Sequence, residues 1–351
     1  MLVPISFPLE PVPPFRLDLT AWALRRRPAN IVDRWDGVVY RRAVKLGGTV
    51  AEVVVRQDGL PEAARLEVSV STAAPIDPDW VRAAVTAMLG RLLGLEVDLG
   101  DFYRRTRHDP HLGPLAQRYR GLKPPRFPSM LECLANAIAC QQLTLTVGIV
   151  LLNRLAESYG STGPGPPSAA GQAFPDATDL APATPGDLRQ LGLSTRKARY
   201  LLDLARCVAD GELDLEVLAA VDDQAAGASL QALRGVGRWS AEYSLLRGLG
   251  RLGVFPGDDV GARNNLGRRL GLDAPLGYEG VQQTVARWAP YAGLAYFHLL
   301  VERIDEAGWL GGTGGPQAGS KGVSWRTPRH TDLRDWPHED RSYGHDDGVP
   351  R

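Results

Sequence analysis

A tight glycine turn between two apolar helical patterns most restricts how this chain can fold. Gly235 and Gly237 flank Val236 in this turn. Apolar residues recur at helical spacing on both sides of it, at Leu230, Leu233, Ala241, Leu245 and Leu249. Because glycine has no Cβ, the chain can adopt positive φ there and reverse tightly. The amides that begin the second helix then lack partners, so the pattern predicts a helical hairpin with an anion site.

Two adjacent acids follow this hairpin. Asp258 and Asp259 come directly after Gly257 and precede another apolar helical pattern. The commonest role of an aspartate in such a place is to cap the helix. The same carboxylate can also stabilise positive charge that develops on a ligand held beside the hairpin. Taken alone, the position of Asp259 favours capping, and other motifs are needed to favour chemistry.

Composition leaves the choice of partner open. The length of 351 residues is enough for two or three domains with a proper core. The 40 basic residues balance 40 acidic ones, but a local basic surface suffices to bind DNA. Basic residues cluster in the ranges 25–27, 104–107, 118–126 and 196–199. Each cluster is interpreted either as a solvated face or as a DNA-facing surface.

The start of the chain shows no targeting segment. It lacks the basic start and continuous apolar core of a signal peptide, and no stretch approaches the ~18 apolar residues that span a bilayer. The three cysteines fit a reducing compartment and predict no disulfide. We therefore expect a cytoplasmic protein without a membrane partner.

The N-terminal third, residues 1–112, is predicted to be an α+β domain. Short alternating stretches rich in valine are separated by the turn signals Asp36-Gly37 and Asp58-Gly59. Hairpin-linked strands accompanied by helices indicate an antiparallel sheet with helices on one side.

Helical periodicity dominates residues 113–310, with the hairpin at about 228–249. A segment rich in Gly, Pro and Ser at about 160–185 is expected to be an exposed, partly mobile loop. Residues 311–351 are too polar to offset the cost of ordering, so we expect a disordered tail. The predicted fold class is thus α+β, a sheet domain followed by an all-α core.

Four separated stretches, in this order, resemble the helix-hairpin-helix superfamily of DNA glycosylases. They are the ranges 138–143, 191–198, 235–239 and 255–263. The nearest likeness within the superfamily is to the 3-methyladenine DNA glycosylase II family, over roughly residues 15–309. This resemblance implies hydrolysis of the N-glycosidic bond of alkylated purines in duplex DNA, as a step of base excision repair.

The resemblance makes Asp259 the catalytic carboxylate, with Asp258 as the helix cap or a supporting partner. Relatives that also cut the DNA backbone carry a lysine two residues after the second glycine of the hairpin. Here Trp239 occupies that position. A monofunctional glycosylase, which leaves an abasic site, is therefore implied.

An aromatic pocket for the damaged base is also implied. The candidates are Trp239, Tyr243, Tyr291 and Trp22, and core packing is the alternative for each. Tyr291 stands where the nearest family has a tryptophan. Electron-rich rings attract the positive charge of an alkylated purine by about 0.5–2 kcal/mol each.

A base inside a duplex must be flipped out, and a side chain is then needed to fill the gap. Gln142 aligns with the inserted residue of relatives, whereas Leu143 is the better apolar filler, so both stay candidates. The other residues expected to contact DNA are Gly235, Gly237, Arg238, Gln141, Arg196, Lys197 and Arg263.

No cofactor and no metal are expected, and only a monovalent cation at the hairpin carbonyls is left open. Some relatives hold an iron–sulfur cluster on cysteines after the catalytic acid, where this chain has none. The expected partner is double-stranded DNA containing damaged bases, bound by a monomer. The alternatives are a glycosylase for deaminated or oxidised bases, or a non-catalytic DNA-binding protein.

Overall fold

In a computed structural model that describes residues 4–164 and 171–310, five antiparallel strands form the predicted sheet. They are β1 (Ile5–Leu9), β2 (Arg34–Trp35), β3 (Val39–Leu46), β4 (Thr49–Asp58) and β5 (Arg65–Thr72). Their order across the sheet is β1-β5-β4-β3-β2. Val53 pairs with Val70 and Val55 with Val68, and all four are buried. This is the period-two pattern of strands with one buried face.

Helices cover one face of the sheet and are the main regular structure in the rest of the described chain. The first group is α1 (Leu17–Arg25), α2 (Pro78–Leu93), α3 (Gly100–Thr106), α4 (Leu112–Arg118), α5 (Met130–Cys140), α6 (Leu145–Tyr159) and α7 (Ala177–Leu180). The second group is α8 (Pro185–Gln190), α9 (Thr195–Ala209), α10 (Asp223–Ala232), α11 (Arg238–Ser244), α12 (Val260–Arg269), α13 (Tyr278–Val285) and α14 (Ala292–Glu306). The predicted α+β fold class is confirmed.

Side-chain caps set where several core helices begin. The hydroxyls of Ser129, Thr144 and Ser194 accept hydrogen bonds from backbone amides in the first turns of α5, α6 and α9. Each such cap satisfies an amide that the helix itself leaves unpaired, and its removal costs about 1 kcal/mol. Local sequence therefore defines the starts of the helices that surround the hairpin.

The predicted boundary near residue 112 does not separate two bodies, because the sheet and the helices share one compact unit. Arg42 on β3 is buried and donates to Asp33 and to Glu132 on α5, each at 2.6 Å. Ile304 of α14 lies in the same apolar cluster as the sheet valines. An ion pair and apolar packing thus join the N-terminal sheet to the helical core.

The expectation of an exposed loop at 160–185 is wrong for its second half. Asp176 and Asp179 form a capping box at α7, and both accept hydrogen bonds from Lys45 of β3. Leu180 is fully buried. Small apolar residues that looked unable to form a core therefore pack here. Residues 165–170 of that loop and the predicted tail, 311–351, lie outside the described residues.

We expect His298 to lower stability in mild acid. Its side chain is buried in α14, Nδ1 donates to the Leu294 carbonyl at 2.7 Å, and burial lowers its pKa from 6.5 to about 4. The contribution of the neutral His298 to the free energy of unfolding is therefore full above pH 6.5. It is lost as the pH falls towards 4, because the unfolded chain binds the proton first. The loss should be about 3 kcal/mol.

Denaturant unfolding across this pH range measures the loss. His298→Gln should reduce the pH dependence, and the control His108→Gln, on an exposed turn, should leave it unchanged. An equal loss in wild type and His298→Gln would contradict the assignment.

Candidate active site

The glycine turn joins α10 to α11 as a tight helical hairpin, as predicted. Gly235 has φ +87°, and a Cβ added there would lie 2.1 Å from the Tyr200 ring. Gly237 is the N-cap of α11 and supplies no side chain to cap its amides. A single π-helical turn, Leu245–Leu249, continues α11. The hairpin thus exposes a helix start without a side-chain cap.

Asp259 caps its helix with one oxygen and makes other contacts with the second, and its catalytic role stays a prediction. It is the N-cap of α12, with Oδ1 accepting from the Ala262 amide at 2.9 Å. Its Oδ2 accepts from the Tyr296 hydroxyl at 3.0 Å and faces Nε1 of Trp239 at 3.4 Å. One oxygen therefore anchors the carboxylate to its helix, and the other points to the aromatic residues of α11 and α14.

Of the two roles expected for Asp258, helix cap or supporting partner, the structure contradicts the cap. Its Oδ2 instead accepts from Nε of Arg238 at 2.7 Å. The Arg238 guanidinium also lies 3.6 Å from the centroid of the Tyr278 ring. Arg238 was predicted to contact DNA, and about half of its side chain is exposed. The structure shows that Arg238 holds the loop before Asp259, and its contact with DNA stays a prediction.

Glu242 on α11 holds the same loop from the other side. Its Oε2 accepts from the Gly257 amide at 3.0 Å, and its Oε1 accepts from the Tyr278 hydroxyl at 2.6 Å. Burial raises the pKa of Glu242. Sequence reasoning missed this residue, because a single glutamate in a helix is typical of a solvated surface.

Tyr296 was also missed. It lies within a long apolar run of α14 and is buried, which is the pattern of an ordinary core residue. Burial raises its pKa well above the usual value, and the charge of Asp259 adds to this effect. The hydroxyl is therefore a proton donor that stays protonated beside the carboxylate. Only the packing of α14 against α12 reveals the contact.

Trp239 and Tyr243 share one face of α11, as predicted. Their ring centroids are 5.5 Å apart with an interplanar angle of 34°. Trp239 is half-buried and Tyr243 is buried. The hydroxyl of Tyr243 accepts a hydrogen bond from Arg26 at 3.0 Å. Together with Asp259 and Tyr296, these rings bring aromatic surfaces and one carboxylate into contact.

The contacts of Tyr291 and Trp22 support the alternative of core packing. Tyr291 donates to Asp101 at 3.1 Å and meets the Phe102 ring edge-on. Trp22 stacks on Trp309 with centroids 5.8 Å apart and belongs to the apolar cluster beneath the sheet. Neither set of contacts leads to Asp259.

The turn after α5 is attached to the hairpin. Gln141 donates through Nε2 to the Gly235 carbonyl at 2.8 Å and to the Ser240 hydroxyl at 2.9 Å. Gln142 has φ +55° and is exposed, and Leu143 is 42% exposed. Both candidates for the inserted residue therefore project from one turn next to the hairpin, and the choice between them stays open.

Lys197 is not the free cation that we expected at the DNA surface. Its ammonium donates to the carbonyls of Ala139 at 3.0 Å and Gln141 at 2.5 Å, and burial lowers its pKa. Lys197 thus satisfies the C-terminal end of α5 and positions the turn after it. The neighbouring Arg196 is exposed and stays a candidate for phosphate contact, as does the half-buried Arg263.

Neither a metal site nor a membrane helix is visible in the ranges that the structure describes. Within them, no group of three or more His, Cys, Asp or Glu side chains is placed to hold a metal ion. None of the helices described is long and apolar enough to cross a bilayer. A monovalent cation at the hairpin carbonyls stays a prediction.

The chain is similar to known proteins over a region much longer than the hairpin. Residues 135–290 match the family described as HhH-GPD superfamily base excision DNA repair protein. Over 223 residues, 63% of its length, the chain is 27% identical to DNA-3-methyladenine glycosylase from Bacillus subtilis (strain 168), covering 72% of that protein. Over 287 residues, 82% of its length, it is 26% identical to DNA-3-methyladenine glycosylase 2 from Escherichia coli (strain K12), covering 94% of it.

Among solved structures, the chain is similar to the 3-methyladenine DNA-glycosylase from Archaeoglobus fulgidus. The TM-score is 0.73 at 25% sequence identity, with 85% of this chain and 99% of the other covered. The shared architecture therefore includes the sheet as well as the helical core.

Gly235 should tolerate alanine far less well than Gly237. Gly235 requires positive φ and has no room for a Cβ, whereas Gly237 has φ −86° and no neighbouring atom within 4 Å of the added Cβ. We expect Gly235→Ala to lower the free energy of unfolding by about 2 kcal/mol or more, and Gly237→Ala by less than about 0.5 kcal/mol. Denaturant unfolding measures both, and equal losses would contradict this geometry.

Proposed function

Because the chain belongs to the helix-hairpin-helix DNA glycosylase superfamily, we propose that it removes alkylated bases from duplex DNA in base excision repair. The observation that carries the proposal is the Asp259 carboxylate, held beside the hairpin and facing the Trp239–Tyr243 pair. A protein that only binds DNA needs neither the oriented acid nor the aromatic walls.

Asp259 is proposed to stabilise the sugar as the base departs. Breaking the N-glycosidic bond builds positive charge on the deoxyribose. A carboxylate about 4 Å from that charge is worth roughly 4 kcal/mol at an effective dielectric constant near 20. This corresponds to about three powers of ten in rate. The same oxygen can orient or deprotonate the water that completes hydrolysis.

The hydrogen bonds around Asp259 prepare it for this task. The Ala262 amide fixes one oxygen, and the Tyr296 hydroxyl fixes the other. A group whose orientation is set before the reaction spends no free energy on reorganisation when charge develops. Glu242 adds to this by bonding the Gly257 amide, two residues before the acid.

DNA is proposed to bind across the hairpin and the turn after α5. The uncapped amides at the start of α11 are suited to a backbone phosphate. Gln142 or Leu143 would fill the gap left when the damaged nucleotide rotates out, which offsets a cost of a few kcal/mol. The proposed partner is therefore double-stranded DNA with a damaged base, bound by one copy of the chain.

Base selection is proposed to rest on stacking of the base against the Trp239–Tyr243 pair, whose rings contact each other. Such rings favour a cationic alkylated purine by about 0.5–2 kcal/mol each. Arg238 and Trp239 occupy the positions just after the hairpin glycines, so no amine is supplied there to attack the sugar. The proposed reaction therefore ends at the abasic site.

Asp259→Asn should separate catalysis from binding. Asparagine also caps helices well, so the fold should be kept while the negative charge is lost. We expect base release from methylated duplex DNA to fall by about three powers of ten. Chromatography of the released bases measures the rate, and gel shift with a duplex carrying an abasic analogue measures binding. Unchanged release would reject Asp259 as the catalytic residue.

Tyr296→Phe should reduce catalysis without comparable loss of binding. The variant removes the hydroxyl that orients Oδ2 of Asp259 but keeps the packed ring. We expect kcat to fall about tenfold with KM nearly unchanged. Tyr119→Phe is the matched control, because Tyr119 donates to the distant Asp305 at 2.9 Å. Similar losses in both variants would show that Tyr296 acts only through stability.

A further inference from the structure

Two buried arginines contact the pocket tyrosine. The side chain of Arg26 donates to the Tyr243 hydroxyl at 3.0 Å and to Oδ1 of Asn136 at 2.6 Å, and the residue is 5% exposed. Arg247 is 1% exposed, with its guanidinium 5.7 Å from the Tyr243 ring centroid. In the ranges described, neither donates to a carboxylate. Burying a cation on neutral partners is costly, so these charges call for an explanation.

Arg26 is unfavourable for a second reason, which is the strain of its backbone. Its φ is +59°, in the left-handed region that residues with a Cβ rarely adopt. Burial by itself would lower the pKa of Arg26, but Tyr243, Cys140, Asp33 and other neighbours raise it, so the guanidinium stays charged. A strained backbone and a buried charge at one position, next to a binding site, indicate a functional constraint rather than ordinary packing.

The Tyr243 hydroxyl connects this charge to the pocket. Its oxygen accepts from Arg26, so its own proton is free to be donated, and no acceptor takes it within the described part of the chain. A hydroxyl that is bonded to a cation becomes a stronger donor. The Tyr243 ring lies against Trp239, whose Nε1 faces Asp259. The hydroxyl is therefore carried by a ring of the aromatic pair against which the flipped base is proposed to stack.

Damaged bases differ in the charge with which they leave. When the C1′–N bond of a cationic alkylated purine breaks, the electron pair neutralises the base. When the same bond of a neutral lesion breaks, the pair makes the base an anion. In both cases, water adds to C1′, and the proton it loses goes to the anionic base or to solvent. Only the neutral lesion needs stabilisation of negative charge on the leaving base.

We infer that Arg26 is a specificity-determining residue that, through Tyr243, favours neutral lesions relative to cationic ones. This inference rests on the proposed glycosylase function. The guanidinium and the polarised hydroxyl stabilise a base that leaves as an anion, and the same positive charge opposes entry of a cationic base. With one hydroxyl between them, the charges lie within about 10 Å, which at an effective dielectric constant near 20 changes a rate by about tenfold.

The test compares single-turnover release of hypoxanthine and of 7-methylguanine from otherwise identical duplexes. Arg26→Gln should lower the hypoxanthine to 7-methylguanine ratio about tenfold, and Arg26→Lys should restore most of it. Arg25→Gln is the matched control, because Arg25 lies over Trp22 instead of Tyr243, and should leave the ratio unchanged.

Tyr243→Phe provides an independent arm if Arg26→Gln does not fold. It should lower the ratio by a similar factor, and the double variant should lower it no further, because both residues act through one hydrogen bond. A parallel fall of both rates in every variant would overturn the inference, as would a wild type that releases only 7-methylguanine. A wild type that releases neither base would instead refute the proposed function.

Discussion

The arrangement depends on one carboxylate whose two oxygens serve different elements. Oδ1 of Asp259 begins α12, and Oδ2 meets a tyrosine from α14 and a tryptophan from α11. An aspartate that only capped a helix would leave its second oxygen in solvent. Here that oxygen is the point where three helices converge, so their packing determines its direction and exposure.

The hairpin contributes to both the fold and the site. Its glycines permit the chain to reverse, and α11 follows. On α11, Trp239 faces Asp259, Glu242 bonds the loop before Asp259, and Tyr243 bonds the buried Arg26. The turn after α5 is joined to it by Gln141 and secured from α9 by Lys197. Two residues that appeared suited to DNA contact, Gln141 and Lys197, thus hold this turn in place, and the exposed Gln142 and Leu143 project from it.

Buried arginines occur in two kinds of surroundings. One group is an ion-pair network of Arg42 with Asp33 and Glu132. Removing one partner of such a buried pair strongly destabilises the folded protein. Arg26 and Arg247 differ because their described hydrogen bonds go to neutral groups. The paired network joins the two parts of the fold, whereas the cations on neutral partners lie next to the pocket tyrosine.

The sequence by itself determined the antiparallel sheet, the helical hairpin, the need for glycine at 235 and the candidacy of Asp259. Each depends on period, turn chemistry or spacing along a short segment, which is readable without knowing what lies nearby. The tertiary structure decided that Asp259 rather than Asp258 caps α12, that Lys197 turns inward, and that Tyr291 and Trp22 pack elsewhere. It also revealed Tyr296, Glu242 and Arg26. Tyr296 lies 37 positions from its partner Asp259, and Arg26 lies 217 from Tyr243. Such contacts form only when separate helices pack, so the sequence around each side chain does not predict them.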